Sequence, residues 1–166
     1  MCVMNNNETT LQEVSFAFTS DSLLKQLRAE SSYIAHSLYT AMPEKNSVAQ
    51  LILSEDVAEF VSMELKNAFA NIYSALSAYL CDSSQCVADP FTVVLRMPDG
   101  RNHGIDALLL HELQRAIVTF VLARWYEYRL PDVAAQQMQL HQAAISAVRH
   151  DVFMAYGAAK RPCNYF

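Results

Sequence analysis

Three observations predict a mainly α fold, a bundle of about four helices carrying one small two-stranded β element. Apolar residues make up 52% of the chain, and only 3 glycines and 5 prolines interrupt them. So few breakers favour long helices over a many-stranded sandwich. Apolar side chains recur at helical spacing in four long segments, while strict alternation is confined to about residues 13–19 and 91–97. At 166 residues the chain fits one domain with enough length to bury a core.

The elements follow in order. Residues 1–12 are polar and Asn-rich, and are expected to be a mobile N-terminal arm. Val14, Phe16 and Phe18 alternate with Ser15, Ala17 and Thr19, the pattern of a half-buried strand. Thr19-Ser20-Asp21 offers side-chain oxygens to the unpaired first N–H groups of a helix. That helix carries Leu24, Leu27, Ile34 and Leu38 as its apolar stripe, and Pro43 closes it. Ser54 is expected to cap a second helix, with Glu55 and Asp56 favoured by the helix dipole in its first turn. Val57, Val61, Leu65, Ala68, Phe69, Ile72, Leu76 and Tyr79 carry it to about Leu80, where "CDSSQCVADP" ends it.

Phe91, Val93, Leu95 and Met97 then form the second strand. A lone strand leaves backbone groups unpaired, so the segment at 13–19 is its expected partner. Pro98-Asp99-Gly100 reads as the turn leaving the sheet, with Gly supplying any positive φ. A third helix from near Asp106 to Arg129 presents Leu109, Leu113, Ala116, Ile117, Phe120, Val121 and Trp125, broad enough to be the central helix. Pro131 suits the first position of a fourth helix, which runs to Tyr156 with Gly157 as its cap. Residues 13–157 are thus one helical domain, and 158–166 a tail with basic residues and an aromatic end.

Composition narrows the function. The opening Met1–Asn7 shows no basic n-region and no apolar h-region, so no signal peptide is expected. The most apolar stretch, 105–128, contains His111, Glu112, Arg115, Arg124 and Glu127, too many charged or titratable groups for a membrane span. Cys2, Cys81, Cys86 and Cys163 match no zinc spacing, and reduced thiols are expected. No Glu-x-x-His pair supports a di-iron site. His111-Glu112 resembles the start of a zincin helix, but Arg115 stands where the second His belongs. No nucleophile elbow, thiol-activating motif or phosphate loop occurs, so neither an enzyme nor a bound cofactor or metal is expected. The net charge of −5 argues against a dedicated nucleic-acid binder. It is unevenly spread, −5 over residues 1–60 and +2 over 91–166, which suits an acidic part meeting a neighbour's basic part.

The order of elements, with "VSFAFTSDSLLKQLRAESSYIA" opening the chain, "LLLHELQRAIVTFVLARWYEYRLPD" leading into the last helix and "KRP" near the end, resembles small proteins of phages and prophages of Bacteroides-type bacteria. It is similar in plan to the helical head–tail connector, or neck adaptor, proteins of tailed phages. That resemblance implies a non-enzymatic virion protein, made in the bacterial cytoplasm and placed at the head–tail junction. It would join the portal protein to the tail or other neck proteins and help retain packaged DNA. It also implies a closed homo-oligomeric ring of about twelve subunits joined by heterologous contacts. DNA would be touched only non-specifically, through the lumen. The expected subunit-interface residues are Phe16, Phe18, Val94 and Arg96 on the strands and Lys160, Arg161, Tyr165 and Phe166 in the tail, because an open strand edge recruits further strands. The rival is a small ligand-binding or regulatory helical domain with an aromatic pocket formed by Trp125, Tyr126 and Tyr128.

Overall fold

The structure is a computed structural model and describes residues 11–41, 50–85 and 89–156. Its elements are β1 (Leu11–Phe18), α1 (Ser20–Ala41), α2 (Ala58–Leu76), β2 (Phe91–Pro98), α3 (Gly104–Tyr126) and α4 (Pro131–Ala155), the mainly α fold with a two-stranded sheet that the pattern predicts. The two strands pair antiparallel, from Leu11 opposite Pro98 to Phe18 opposite Phe91. Thr19 leaves the strand and caps α1 instead. Its hydroxyl accepts the Ser22 N–H at 3.4 Å, while the Asp89 carboxylate takes the Ser20 N–H at 3.2 Å, so two of the helix's orphan donors are satisfied.

The apolar line on α1 differs from the expected one. Leu23, Leu27, Ser31 and Ala35 are buried, whereas Leu24, Ile34 and Leu38 are half-buried. An inward-facing serine and alanine make the true line look weaker than its neighbour. The serine is there for a reason. Ser31 Oγ donates to Arg28 O at 3.0 Å and accepts the Leu53 N–H at 3.2 Å, holding the chain that returns toward α2. Ser54 therefore does not cap α2. The chain passes through a single 3-10 turn, Glu55–Val57, and Val57 stands at the N-cap without a side-chain bond. The inward face of α2 is the expected one, and Phe69 stacks on Phe91 of β2 at 4.5 Å between ring centroids.

α2 stops at Leu76 rather than Leu80, because the next residues are drawn onto β2. Cys81 N–H donates to Val94 O at 2.9 Å, Arg96 N–H to Tyr79 O at 2.8 Å, and Gln85 and Thr92 exchange both bonds at 2.9 and 2.8 Å. Ser84 Oγ accepts the Val94 N–H at 3.0 Å and donates to Val94 O at 3.2 Å, doing with a hydroxyl what a strand does with its backbone. Cys81 is buried with a free thiol, and the other three cysteines lie outside the described residues.

α3 is the centre of the molecule. Ala116, Ile117, Val118 and Thr119 are consecutive and all buried, and at about 100° per residue they point all round the helix. Leu113 and Ile117 are core as expected, while Phe120 is half-buried with its edge against His141 at 5.1 Å. α4 packs along α3 and begins at Pro131. Its Gly157 cap lies outside the described residues.

The turn after β2 is held by a residue that the pattern reading passed over. Arg101 is 8% exposed. Its Nε and NH2 meet both Asp106 oxygens at 3.0 and 2.8 Å, and its NH1 donates to Gln12 Oε1 at 3.2 Å and to Pro98 O at 3.3 Å. One guanidinium thus joins the start of β1, the end of β2 and the first turn of α3. The pair holds the Asp106 carboxyl below the ordinary carboxylate range and the Arg101 guanidinium above its own. Gly100 does not take a left-handed conformation, so the turn is set by this pairing and not by glycine's freedom.

Two stability outcomes follow. Leu113→Ala is expected to cost about 2–5 kcal/mol, and Phe120→Ala less than a fully buried phenylalanine would, in denaturant melts of the two variants. Arg101→Lys keeps the charge but not the fork, so it is expected to lose about 1–3 kcal/mol. A lysine variant as stable as the parent would show that the bidentate geometry contributes nothing.

Candidate functional site

Among the described residues the sheet has one closed edge and one bare edge. On β2 the backbone groups of Thr92 and Val94 and the Arg96 N–H are taken by residues 79–85, and the Arg96 carbonyl by the Tyr156 hydroxyl. Backbone direction alternates along a strand, so Phe91, Val93, Leu95 and Met97 turn theirs to β1. Their partners are Phe18, Phe16, Val14 and Gln12. Leu11, Glu13, Ser15 and Ala17 therefore direct their N–H and C=O groups outward, where no backbone partner is found among the described residues. Their side chains are exposed as well. The strand carries one charge and no proline, the two devices that commonly blunt an edge.

The expected interface residues separate into three groups. Phe16 and Phe18 place their rings in the core, Phe18 lying 5.8 Å from Phe69, so what β1 offers outward is backbone and not aromatic surface. Val94 is buried and its backbone is spent on Ser84 and Cys81 within the chain. Arg96 is exposed at the side chain, but its N–H bonds Tyr79 O and its carbonyl accepts the Tyr156 hydroxyl. Lys160, Arg161, Tyr165 and Phe166 lie outside the described residues.

Among the described residues, the polar atoms of Trp125 and Tyr126 near the end of α3 are engaged within the chain. Trp125 Nε1 donates to Leu51 O at 3.0 Å, and the Tyr126 hydroxyl donates to the same carbonyl at 3.1 Å and approaches Ser31 O at 3.4 Å. Arg129 lies 3.9 Å over the Trp125 ring and donates from NH1 to Trp125 O at 3.0 Å. Burial pushes the Tyr126 hydroxyl up to about 12, against a smaller opposing pull from Arg129. Tyr128 points away at 90% exposure. The cluster is a clasp that fixes residues 51–53 on α1 and α3.

A concave surface does exist, elsewhere. A groove of about 560 Å³ runs between α1 and α4 with α3 as its floor. α1 supplies Gln26, Glu30, Ile34 and Leu38, α3 supplies Gln114, Arg115 and Thr119, and α4 supplies Val133, Gln137 and Leu140. On one wall Gln114 Nε2 donates to Gln26 Oε1, and Gln26 Nε2 donates to Glu30 Oε1 at 2.9 Å. The Thr119 hydroxyl is turned back onto Arg115 O at 2.8 Å. Ile34 and Leu38, expected in the core, are half-buried because they form the groove's apolar side.

One helical turn beyond Gln137 on α4, His141 is buried, with Nδ1 2.9 Å from Ala116 O and Nε2 3.0 Å from the Asn71 side chain. Burial lowers its pKa from the ordinary 6.5, outweighing the opposing bond to Ala116. Among the described residues no three His, Cys, Asp or Glu side chains converge as metal ligands, and no helix is long and apolar enough to cross a membrane. Comparison with protein-family models, with curated proteins and with solved structures gives no match.

The histidine predicts a pH dependence. Its folded pKa is lowered, so the unfolded chain takes up the proton first as pH falls. The stabilising contribution is complete above about 6.5 and is lost as pH drops below that value. Chemical melts between neutral and mildly acidic pH are expected to show a steeper loss for the parent than for His141→Gln. Parallel profiles for the two proteins would mean that His141 does not titrate differently on unfolding.

Proposed function

We propose that this chain is a structural subunit that joins its neighbours by strand addition at the outer edge of β1, in an assembly of the head–tail connector kind. The observation that carries the reading is the bare edge. Four outward-directed residues sit on a strand anchored in the core by Phe16 and Phe18, while the sheet's other edge is occupied by the chain's own residues 79–85. An extended segment laid along such an edge gains main-chain hydrogen bonds without disturbing the fold. The element order and the uneven charge support the connector form of the assembly, in which the acidic part of one subunit meets the basic part of the next. The ring, its portal and tail neighbours and its place in the virion belong to this proposal.

A ligand-binding domain is the second reading, and the groove between α1 and α4 is what favours it. It locates the site away from Trp125, whose ring and N–H are already engaged.

The strand edge yields a discriminating variant. Ser15→Pro removes an outward N–H and leaves the β1–β2 ladder intact, as proline tolerates edge positions. Phe16→Pro removes an inward one and is expected to damage the fold. Sedimentation is expected to show an oligomer for the parent and a monomer for Ser15→Pro, with both giving the same circular dichroism and similar melting. An oligomer unchanged by Ser15→Pro would sink strand addition. Absence of the protein from purified tailed particles encoded beside it would sink the connector form.

A further inference from the structure

We propose that the groove between α1 and α4 is a binding site for a neutral ligand that carries a primary carboxamide on an apolar body. This goes beyond the assembly reading and rests on different residues. The pointer is Gln137. It is 8% exposed and lines the groove, yet its carboxamide has no hydrogen-bond partner among the described residues. No fully enclosed side-chain nitrogen or oxygen lacks a partner, so the little accessibility this carboxamide keeps is toward the groove. The accessible atoms of this carboxamide are left to groove water, which a ligand offering matched hydrogen bonds can replace. Thr119, 4% exposed, lies on the same floor with its hydroxyl proton already given to Arg115 O. Of the two buried polar residues in the lining, only Gln137 is therefore left to donate to a ligand.

The chemistry of that group selects the ligand. A carboxamide presents N–H donors and a C=O acceptor side by side in one plane. Another amide edge answers both at once with two parallel hydrogen bonds. A carboxylate answers only the donors, and it meets Glu30 on the facing wall. An ammonium answers only the acceptor, and it meets the Arg115 guanidinium at the rim. Ile34, Leu38, Val133 and Leu140 supply half-buried apolar surface for the rest of the molecule. The volume, about 560 Å³, lies within the range that encloses small organic ligands.

Benzamide is the probe, and benzoate, with the same ring and an anionic head, is its control. In nitrogen-resolved NMR spectra of the full chain, benzamide is expected to shift the Gln137 side-chain amide and the Thr119 backbone amide saturably. Benzoate is expected to bind at least about tenfold more weakly. Gln137→Leu is expected to abolish the benzamide response while melting at the parent's temperature or above it, since the carboxamide it removes holds no other part of the chain. Gln137→Glu keeps the shape and removes the donors, and it should also lose the response. The proposal is overturned if benzamide gives no saturable shift at these residues, if benzoate binds equally well, or if Gln137→Leu binds like the parent. A Gln137→Leu variant that melts well below the parent overturns it too, because the carboxamide would then be partnered inside the core.

Discussion

The fold is arranged around the second half of α3, where Arg124 is the one exposed residue between Ala116 and Tyr126, while Leu108, Leu110, His111 and Arg115 of the first half meet solvent. With four consecutive buried residues at 116–119, this half must be covered in every direction, and each neighbouring element covers one sector. α4 lies along one side, α2 along another, and α1 and the sheet close the remainder. The cover is thinnest between α1 and α4, and there the α3 sequence places Thr119 and Gln114 where other sectors receive leucine, isoleucine or valine. The groove is the seam left when three surrounding units enclose a central rod.

Much of this was legible in the order of residues, and what was not has identifiable causes. The strand pair emerged because alternation occurs at only two places, and each needs the other. The central helix emerged because its apolar face was the broadest, and Pro131 marked the start of the next. The third row of the sheet did not emerge. Its backbone pairing is completed by the hydroxyl of Ser84, in a stretch whose composition reads as a loop. Arg101 was invisible for a similar reason. Its three acceptor groups come from β1, β2 and α3, and only folding brings them to one guanidinium. The α1 line was placed correctly only at Leu27, because Ser31 looks polar and is buried for its hydrogen bonds. Apolar counting cannot see a buried hydroxyl that does backbone work. The groove was beyond reach altogether, being a property of three helices at once, although the glutamines at 26, 114 and 137 sit at the margins of the apolar stripes.

Polar contacts in this molecule do the positioning that the apolar core leaves open. The carbonyl of Leu51 receives both Trp125 and Tyr126, fixing a short return segment against residues more than 70 positions further along. Arg101 fixes β1 against β2 and α3, and Ser84 fixes the edge of β2. Each acts at a junction between elements and not within one. The core determines which surfaces meet, and these few bonds determine in what register they do so.

The pairing of β1 with β2 also sets an order of events during synthesis. β1 finds its partner across roughly 80 intervening residues. At a ribosomal rate of about 5–20 residues per second, that separation corresponds to roughly 4–16 s in which β1 has emerged and β2 has not yet been made. Throughout that interval the alternating phenylalanines have no core to enter, and both margins of the strand lack partners. β1 is thus made well before it can be secured, so the nascent chain is association-prone until β2 has been made.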